Sequence, residues 1–485
     1  MFLTNVTPNL DRSAKADDFT NMCCDSQYLN LYSYSEQFVI ATMEQNKTEN
    51  NIKQKDPDNI TDSILYSNFD RNLNHQFPAS DYDDQGGNYD PISELSQLSI
   101  DSLTLDKLPL ELLIHICNFL EAGFVIHTFS KVCQLFKDLF EGDSYWITRI
   151  RKRWPKPYPP VSDEDFDWQE ACIQREKCCR VWSDPKNQTE SIVYKDTIFA
   201  PVDSVHLMEN GRFLASGSRD RYLTLLDLSK YDPTTSKQKD MNVYASDKAH
   251  KGWIWSLTSN DKTLCTGSWD RYIKMWDLEA GVVETQSFKC RSAILGLHME
   301  DNMIFGCGFD QLVYSIDPRE NTMKKRKYHR GPVLCLAADE NYVVTGSEDK
   351  TIAIYDRRAG TVYKTIQLES YPMSLNLGNR QLWVGDKTGG IHVYNTTCGQ
   401  FKHIESCDVG HTGKVTGIIY TPGALFTCCT DTTIKVLEPS LNPGTINTLT
   451  SHEGEVARIS YQNGVLASAG SDVSVRIWRP KDTWY

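Results

Sequence analysis

Four histidines in the C-terminal part of the sequence each stand 20 residues before an aspartate. The pairs are His250 and Asp270, His329 and Asp349, His411 and Asp431, and His452 and Asp472. Imidazole and carboxylate are the groups of acid–base catalysis and of many metal sites, so each pair is a candidate reactive centre. An active site does not require four copies of one His–Asp pair at the same spacing in the sequence. The repetition therefore favours structural hydrogen bonds, one set in each repeat.

Each pair belongs to a repeat with a tight turn, usually Gly/Ser-x-Asp, followed by alternating apolar residues and a polar stop. The copies read GSRDRYLTLLD, GSWDRYIKMWD, CGFDQLVYSID, GSEDKTIAIYD, DKTGGIHVYN, CCTDTTIKVLE and GSDVSVRIWR. Their turn positions are Asp220, Asp270, Asp310, Asp349, Thr388, Asp431 and Asp472, mostly about 40 residues apart, which is the period of a four-stranded propeller blade. Seven copies predict an all-β, seven-bladed propeller over residues 188–485.

The sequence also predicts how the ring closes. The few residues after Trp478 cannot supply a turn and another strand. The segment SIVYKDTI (191–198), before the first blade, alternates like a strand and would fill the outer place in the last blade. Three blades lack the histidine, and Thr388 replaces the turn aspartate in blade five. We expect those blades to be held by packing.

The charge of the chain, −13 overall, is concentrated in its first hundred residues. Residues 1–100 carry 16 acidic and 6 basic residues and show no sustained periodicity, which predicts a disordered acidic tail over 1–102. Apolar residues such as Tyr28 and Leu31 could form a docking segment, although the composition favours an inert tail. The rest is near neutral, so no nucleic-acid partner is expected.

The composition also indicates in which cellular compartment the protein is expected. No apolar run approaches the roughly 20 residues of a membrane span, so no membrane partner is expected. The fifteen cysteines include no Cys-x-x-Cys pair, and the chain starts without a signal-peptide pattern. These features predict reduced thiols, no metal and a cytoplasmic or nuclear location.

A small all-helical unit is predicted over residues 103–150. Pro109 suits the first turn of a helix whose apolar face carries Leu112, Ile116 and Leu120. A second helical run covers 125–139, and a third short helix includes Trp146. Such short helices cannot bury all these side chains among themselves, so a partner surface is expected.

The segment 151–187 is predicted to be a linker with an amphipathic helix at 166–183. The preceding cluster RIRKR (149–153) could be a nuclear signal or an RNA contact. A charged helix end at a domain junction is the favoured interpretation.

The repeats resemble the WD-repeat family, whose Gly-His and Trp-Asp signatures match the histidines above and the pair Trp276-Asp277. The resemblance implies that the loop histidine, the turn aspartate, a Ser or Thr on the second strand and a Trp on the third form an internal hydrogen-bond network. Blade two carries this set most fully, with His250, Asp270, Thr266 or Ser268, and Trp276.

The helical unit resembles an F-box, through Leu108-Pro109-x-Glu111-Leu112 and the apolar residues that follow. An F-box before a WD propeller resembles the F-box/WD-repeat proteins. The resemblance implies a non-catalytic substrate receptor of an SCF (Skp1–cullin–F-box) ubiquitin ligase, with no cofactor. Its partners would be Skp1, through Skp1 a cullin and a RING ligase, and a protein target. The residues implied for Skp1 binding are Leu108, Pro109, Leu112, Ile116, Leu120, Val132 and Phe136.

The resemblance also implies that the target docks on the face bearing the Gly-Ser-x-Asp turns, called the top face below. The predicted target-binding residues are Trp253, Trp255, Trp269, Leu295, Phe309, Leu334, Tyr371, Met373, Arg219, Lys387 and Lys414. A single arginine disfavours a phosphorylated target. We expect an apolar or aromatic recognition element, with acidic flanks near Lys387 or Lys414. Burial in the propeller core is an alternative for the aliphatic positions.

Two other functions are compatible with the sequence. A WD-repeat scaffold that never joins a ligase is the main alternative. An enzyme ranks third, and would require a cluster of perturbed pKa values in the central channel.

Overall fold

The computed structural model describes residues 105, 108–159, 166–232, 238–260, 262–300 and 302–481. The predicted tail, residues 1–102, lies outside this part of the chain. The chain divides into two compact units, one ending at Gly142 and one beginning at Asp143.

The first unit is helical. Its elements are α1 (Leu110–Phe119), α2 (Ala122–His127), a 3-10 turn (Phe129–Lys131) and α3 (Gln134–Glu141). The helix predicted over 125–139 is therefore interrupted, because the backbone leaves the helical region at Thr128 and Cys133. The interruption allows Phe129 to stack on Phe136 with ring centroids 4.5 Å apart, and these rings form the core of the unit.

The second unit begins with three helices, α4 (Asp143–Arg153), α5 (Trp168–Ser183) and α6 (Pro185–Gln188). Helix α5 begins where the Asp167 side chain accepts a hydrogen bond from the Glu170 amide at 2.9 Å, an N-cap. No helix in the described ranges is long and apolar enough to cross a bilayer.

A buried ion pair joins α4 to α5. Glu176 accepts from Arg149 at 2.6 Å and from Arg153 at 2.9 Å, and Arg149 and Glu176 are both buried. Two of the three arginines in the RIRKR cluster thus have a structural role.

Helix α5 in turn packs on the propeller. Val181 and Trp182 lie in one apolar cluster with Phe426, and the Asn447 side chain donates to the Trp182 carbonyl at 2.9 Å. The segment called a linker is therefore an ordered part of the second unit where the structure describes it.

Seven four-stranded antiparallel sheets follow, each running from an inner to an outer strand. Strand β1 (Thr189–Tyr194) comes first in the chain. Blade one has β2 (Val202–Met208), β3 (Phe213–Ser218), β4 (Leu223–Asp227) and β5 (Asn242–Ser246). Blade two has β6 (Ile254–Ser259), β7 (Thr263–Ser268), β8 (Tyr272–Asp277) and β9 (Val283–Lys289). Blade three has β10 (Ile294–Glu300), β11 (Met303–Gly308), β12 (Leu312–Asp317) and β13 (Thr322–Lys327).

The later blades repeat this order. Blade four has β14 (Val333–Ala338), β15 (Tyr342–Ser347), β16 (Thr351–Asp356) and β17 (Thr361–Gln367). Blade five has β18 (Pro372–Gly378), β19 (Gln381–Asp386), β20 (Gly390–Asn395) and β21 (Lys402–Asp408). Blade six has β22 (Val415–Tyr420), β23 (Leu425–Cys429), β24 (Ile434–Leu437) and β25 (Thr445–Leu449). Blade seven has β26 (Val456–Gln462), β27 (Val465–Gly470) and β28 (Ser474–Pro480), and β1 is its outer strand.

The ring closes through β1, which pairs with β28 from Thr189 opposite Pro480 to Tyr194 opposite Val475. This is the predicted segment, although its strand ends at Tyr194. Between blades, alternating side chains form shared apolar clusters, such as the one joining Ile254 and Trp276 of blade two to Leu223 of blade one. The core of the propeller therefore lies between neighbouring blades.

Candidate protein-binding surfaces

The histidine of blade two is the centre of a complete hydrogen-bond network. His250 Nδ1 lies 2.9 Å from Asp270 Oδ2, and its Nε2 lies 2.6 Å from the Thr266 hydroxyl, which also accepts from Trp276 Nε1 at 3.0 Å. Burial opposes ionisation of Asp270, but hydrogen bonds from His250 and two backbone amides outweigh it and lower its pKa to about 2. The network ties the incoming loop to the turn.

Three further blades contain the histidine and a hydroxyl partner. His329 bonds Thr345 at 2.8 Å, His411 bonds Thr427 at 2.9 Å, and His452 bonds Ser468 at 2.6 Å. Their other ring nitrogens face Asp349, Asp431 and Asp472 within 3.3 Å. Burial lowers the pKa of His329, His411 and His452. Since both ring nitrogens are engaged, these pairs are structural bonds.

The expectation that the other blades are held by packing alone was wrong. In blade three the Tyr314 hydroxyl replaces the histidine: it donates to Asp310 at 2.6 Å and accepts from the Arg291 amide at 3.0 Å. In blade five, Asp386 accepts from the Thr388 amide at 2.8 Å. A polar side chain from another position can make these bonds because the turn geometry is retained.

One of these networks also has the atom types of a metal site. Ligand atoms of His411, Cys429 and Asp431 lie within 4.8 Å of one another. However, His411 is already bonded through both nitrogens, and the Cys429 sulfur accepts from the Asp431 amide at 3.3 Å. Burial raises the pKa of Cys429 to about 11, which disfavours the thiolate that binds metal. Cys429 therefore acts as the equivalent of Ser268 in blade two.

The central channel is a cavity of about 290 Å³. Its hydroxyl groups are used between blades: Ser256 accepts from the Leu297 amide at 2.9 Å, and Ser460 accepts from the Leu207 amide at 3.0 Å. His206 bonds Ser259 at 2.9 Å, and burial, with the nearby His298, lowers its pKa to about 4. Among the described residues no carboxylate bonds His206, whereas His298, which also lines the channel, has its Nε2 3.4 Å from the Glu300 carboxylate.

The top face of blades two and three exposes a cluster of aromatic rings. Trp253, Trp269 and Phe309 are 40, 46 and 55% exposed. The Trp269 ring centroid lies 5.8 Å from that of Trp253, 6.0 Å from that of Trp255 and 6.4 Å from that of Phe309. We call these four residues the aromatic patch. Three large apolar side chains left exposed side by side are typical of a protein-binding site.

Backbone contacts hold this patch in place. The Trp269 amide donates to the Trp253 carbonyl at 2.8 Å, and the Phe309 amide donates to the Ala293 carbonyl at 3.0 Å. A Cβ at Gly252 would lie 2.8 Å from the Asp270 amide nitrogen, so only glycine allows the loop to approach the turn this closely.

Arg219 extends the patch into blade one. Its guanidinium lies 5.1 Å from the Trp253 ring centroid and makes bonds of 3.0–3.2 Å to the buried Asp203 carboxylate. Since Asp203 neutralises this charge, Arg219 is a poor phosphate ligand.

The other predicted target-binding residues are spread around the ring. Leu295 is only 5% exposed and belongs to the core. Leu334, Tyr371 and Met373 are half-buried, while Lys387 and Lys414 are exposed. The Lys387 ammonium lies 4.8 Å from the Tyr371 ring centroid. Four of the predicted positions, Trp255, Leu295, Leu334 and Met373, lie at a β-bulge of the inner strand.

The helical unit has an apolar stripe along α1. Pro109 is exposed, and Leu108, Leu112, Ile116 and Val132 are half-buried. By contrast, the predicted Skp1-binding residues Leu120 and Phe136 are 0 and 1% exposed and form the core.

Sequence reasoning did not include Phe119, 39% exposed, or Leu135, 51% exposed, among the binding residues. Phe119 follows Leu112 and Ile116 at helical spacing and could have been added. Leu135 could not, because the interruption before α3 was not predicted.

Comparison with known proteins agrees with both units. Residues 105–148 match the F-box domain model, and 242–277 and 321–356 match the model described as WD domain, G-beta repeat. The chain is 37% identical to F-box/WD repeat-containing protein 9 of Homo sapiens over 378 residues, covering 77% of this chain and 82% of the relative. The protein of the same name in Bos taurus gives 37% over 377 residues, with the same coverage. F-box/WD repeat-containing protein mec-15 of Caenorhabditis elegans is 27% identical over 326 residues, 63% of this chain and 78% of the relative. With both units and this similarity established, the chain belongs to the F-box/WD-repeat protein family.

Proposed function

We propose that this protein is the substrate receptor of an SCF-type ubiquitin ligase. In this function the helical unit binds Skp1, and the top face of the propeller holds a protein for ubiquitylation. F-box/WD-repeat proteins are generally adaptors rather than enzymes. A receptor accelerates ubiquitin transfer by holding its target near the charged E2 enzyme, which raises the effective concentration of the reacting groups.

The observation that carries the proposal is the pair of apolar surfaces on a chain of this family. One is the stripe of Leu108, Pro109, Leu112 and Ile116 in the helical unit, and the other is the aromatic patch on the propeller. Two separate binding surfaces are what a receptor requires. A scaffold without a ligase also requires two, so Skp1 binding decides between them.

The test is recovery of Skp1 with the purified full chain. The double variant Pro109→Ala/Leu112→Ala removes apolar contacts from partly exposed positions. We expect it to reduce Skp1 recovery at least about tenfold, which corresponds to a loss of about 1.4 kcal/mol in binding free energy. Lys137→Ala, at an exposed position of α3, is the matched control and should recover as much Skp1 as the wild type.

Circular dichroism of the variants tests whether the helices remain folded. If the wild type recovers no Skp1, or if the double variant recovers as much as the wild type, the ligase assignment fails and the scaffold function is favoured.

A further inference from the structure

The loops around the aromatic patch have a charge that the overall composition hides. In blades two to four, the top-face loops and turns contain eight Lys or Arg residues and five carboxylates. In blades five to seven, the corresponding segments contain two Lys residues and seven carboxylates. The first set is 246–253, 268–272, 288–293, 308–312, 327–332 and 347–351. The second set is 367–372, 386–390, 408–415, 429–433, 449–456 and 470–474. The top face therefore has a basic half and an acidic half.

The cations of the basic half are available to a partner. Lys251, Arg271, Arg291 and Arg330 are exposed, and within the described part of the chain none lies within ion-pair distance of a carboxylate. Their position relative to the patch follows from the chain. Lys251 is two residues before Trp253, and Arg271 is two residues after Trp269. Arg291 is two residues before Ala293, whose carbonyl holds the Phe309 amide.

The carboxylates of the same half are less available. Asp270 and Asp349 accept bonds from the loop histidines and from backbone amides, and Asp310 accepts from Tyr314. Asp247 and Glu348, the remaining carboxylates of these segments, are exposed and oppose the cations. A ligand on the aromatic rings thus lies beside loops and turns that carry more free cations than free carboxylates.

We propose that the target segment held by this face is an acidic peptide with an aromatic or large aliphatic anchor. The anchor packs on Trp253, Trp269 and Phe309, and neighbouring Asp or Glu side chains pair with Lys251, Arg271 and Arg291. The inference rests on the proposed function, in which this face holds the target. It places the acidic flank on the basic half rather than near Lys387 and Lys414.

A nucleic acid is the other class of ligand that aromatic rings and cations suggest. Glu348 and the turn carboxylates lie among the cations, and they repel a continuous phosphate backbone. A peptide can place its carboxylates to avoid them.

The first experiment is selection of a random peptide phage library on the intact chain. We expect enriched peptides that combine Trp, Phe or Leu with Asp or Glu. Binding of a fluorescent copy should weaken about tenfold or more in Trp269→Ala and in Arg271→Glu/Arg291→Glu, since each removes a contact at the centre of the site. Its affinity should also fall as salt is raised.

The matched control is Lys387→Glu/Lys414→Glu, the same change of charge on the acidic half, and it should leave the affinity within about twofold of the wild type. Enrichment of basic peptides, no enrichment, or equal loss in both charge variants overturns the proposal.

Two other probes exclude other occupants. If poly(dT) binds more tightly than the selected peptide, the ligand is a nucleic acid and the proposal fails. If a synthetic peptide of residues 22–37 displaces the selected peptide, the occupant is the acidic N-terminal region of this chain, and the assignment to a separate target fails. Skp1 recovery tests the helical unit and peptide binding tests the propeller, so failure of the ligase function and failure of this inference are distinguishable.

Discussion

The carboxylate of Glu176 accepts hydrogen bonds from both Arg149 and Arg153, and the Arg149–Glu176 pair is buried between α4 and α5. Helix α4 contains the last residues of the F-box match, and α5 packs on blade six. This ion pair therefore joins the end of the F-box segment to the propeller within the second unit.

Removing the acid should destabilise the second unit. Glu176→Gln leaves the buried Arg149 without its countercharge, and breaking such a pair typically costs about 3–5 kcal/mol. Urea unfolding followed by tryptophan fluorescence measures the loss. Glu279→Gln, which removes an exposed partner of Lys262, should change the free energy of unfolding by less than about 1 kcal/mol. Equal effects of the two substitutions would contradict the structural role of Glu176.

The glycine before Trp253 should tolerate no side chain. In Gly252→Ala the new Cβ meets the Asp270 amide nitrogen at 2.8 Å, so the loop of blade two must shift. We expect a loss of about 1–3 kcal/mol in stability and weaker binding of the selected peptide. Gly378→Ala is the control, since nothing lies within 4 Å of its added Cβ. Unchanged stability of Gly252→Ala would show that the loop is not held against the turn.

The closing strand should contribute strongly to stability. Ile192 is 1% exposed in the cluster between blades seven and one. Ile192→Ala should cost about 2–5 kcal/mol, because it leaves a cavity. Ser191→Ala changes the neighbouring exposed residue of the same strand and should have little effect. A small effect of Ile192→Ala on the urea midpoint would mean that β1 contributes little to closure.

Stability should depend on pH through the blade histidines. Burial holds the pKa of His329, His411 and His452 below the unfolded value of about 6.5. Below that pH the unfolded chain binds more protons than the folded chain. The contribution of these histidines to the free energy of unfolding is therefore complete above about pH 6.5, and it is lost progressively as the pH falls. Urea midpoints measured between about pH 8 and about pH 5 should show this decrease in stability.

A substitution separates titration from simple loss of a contact. His452→Gln should lower stability at every pH and also reduce the slope of stability against pH. His127→Gln, at an exposed position of α2, should leave the slope unchanged. If the slope is the same in both variants, the blade histidines are not its source.

Much of the propeller could be predicted because each blade repeats one short turn. The repeat predicted Trp253, Trp269 and Phe309 on the top face, and backbone hydrogen bonds there join Trp269 to Trp253 and Phe309 to Ala293. Whether a position at the start of an inner strand faces solvent or the core could not be predicted from the repeat alone. Leu295 and Trp255 occupy the same position in successive blades, yet only Leu295 is fully buried.

The missed features depend on contacts between distant positions. Tyr314 replaces a histidine that precedes it by more than twenty residues in the other blades, so the fixed offset could not reveal it. The basic half of the top face was missed for a related reason. Its cations come from five short segments that are far apart in the sequence, and only the folded ring brings them onto one side.

Closure by β1 has a consequence for biosynthesis. Thr189 pairs with Pro480, so the first strand of the propeller to leave the ribosome must wait for the last one. Throughout synthesis β1 lacks its partner strand β28, so its hydrogen-bonding edges are unpaired. Such edges are sites of intermolecular pairing. A chaperone that shields nascent strands until translation ends would act on this protein at β1.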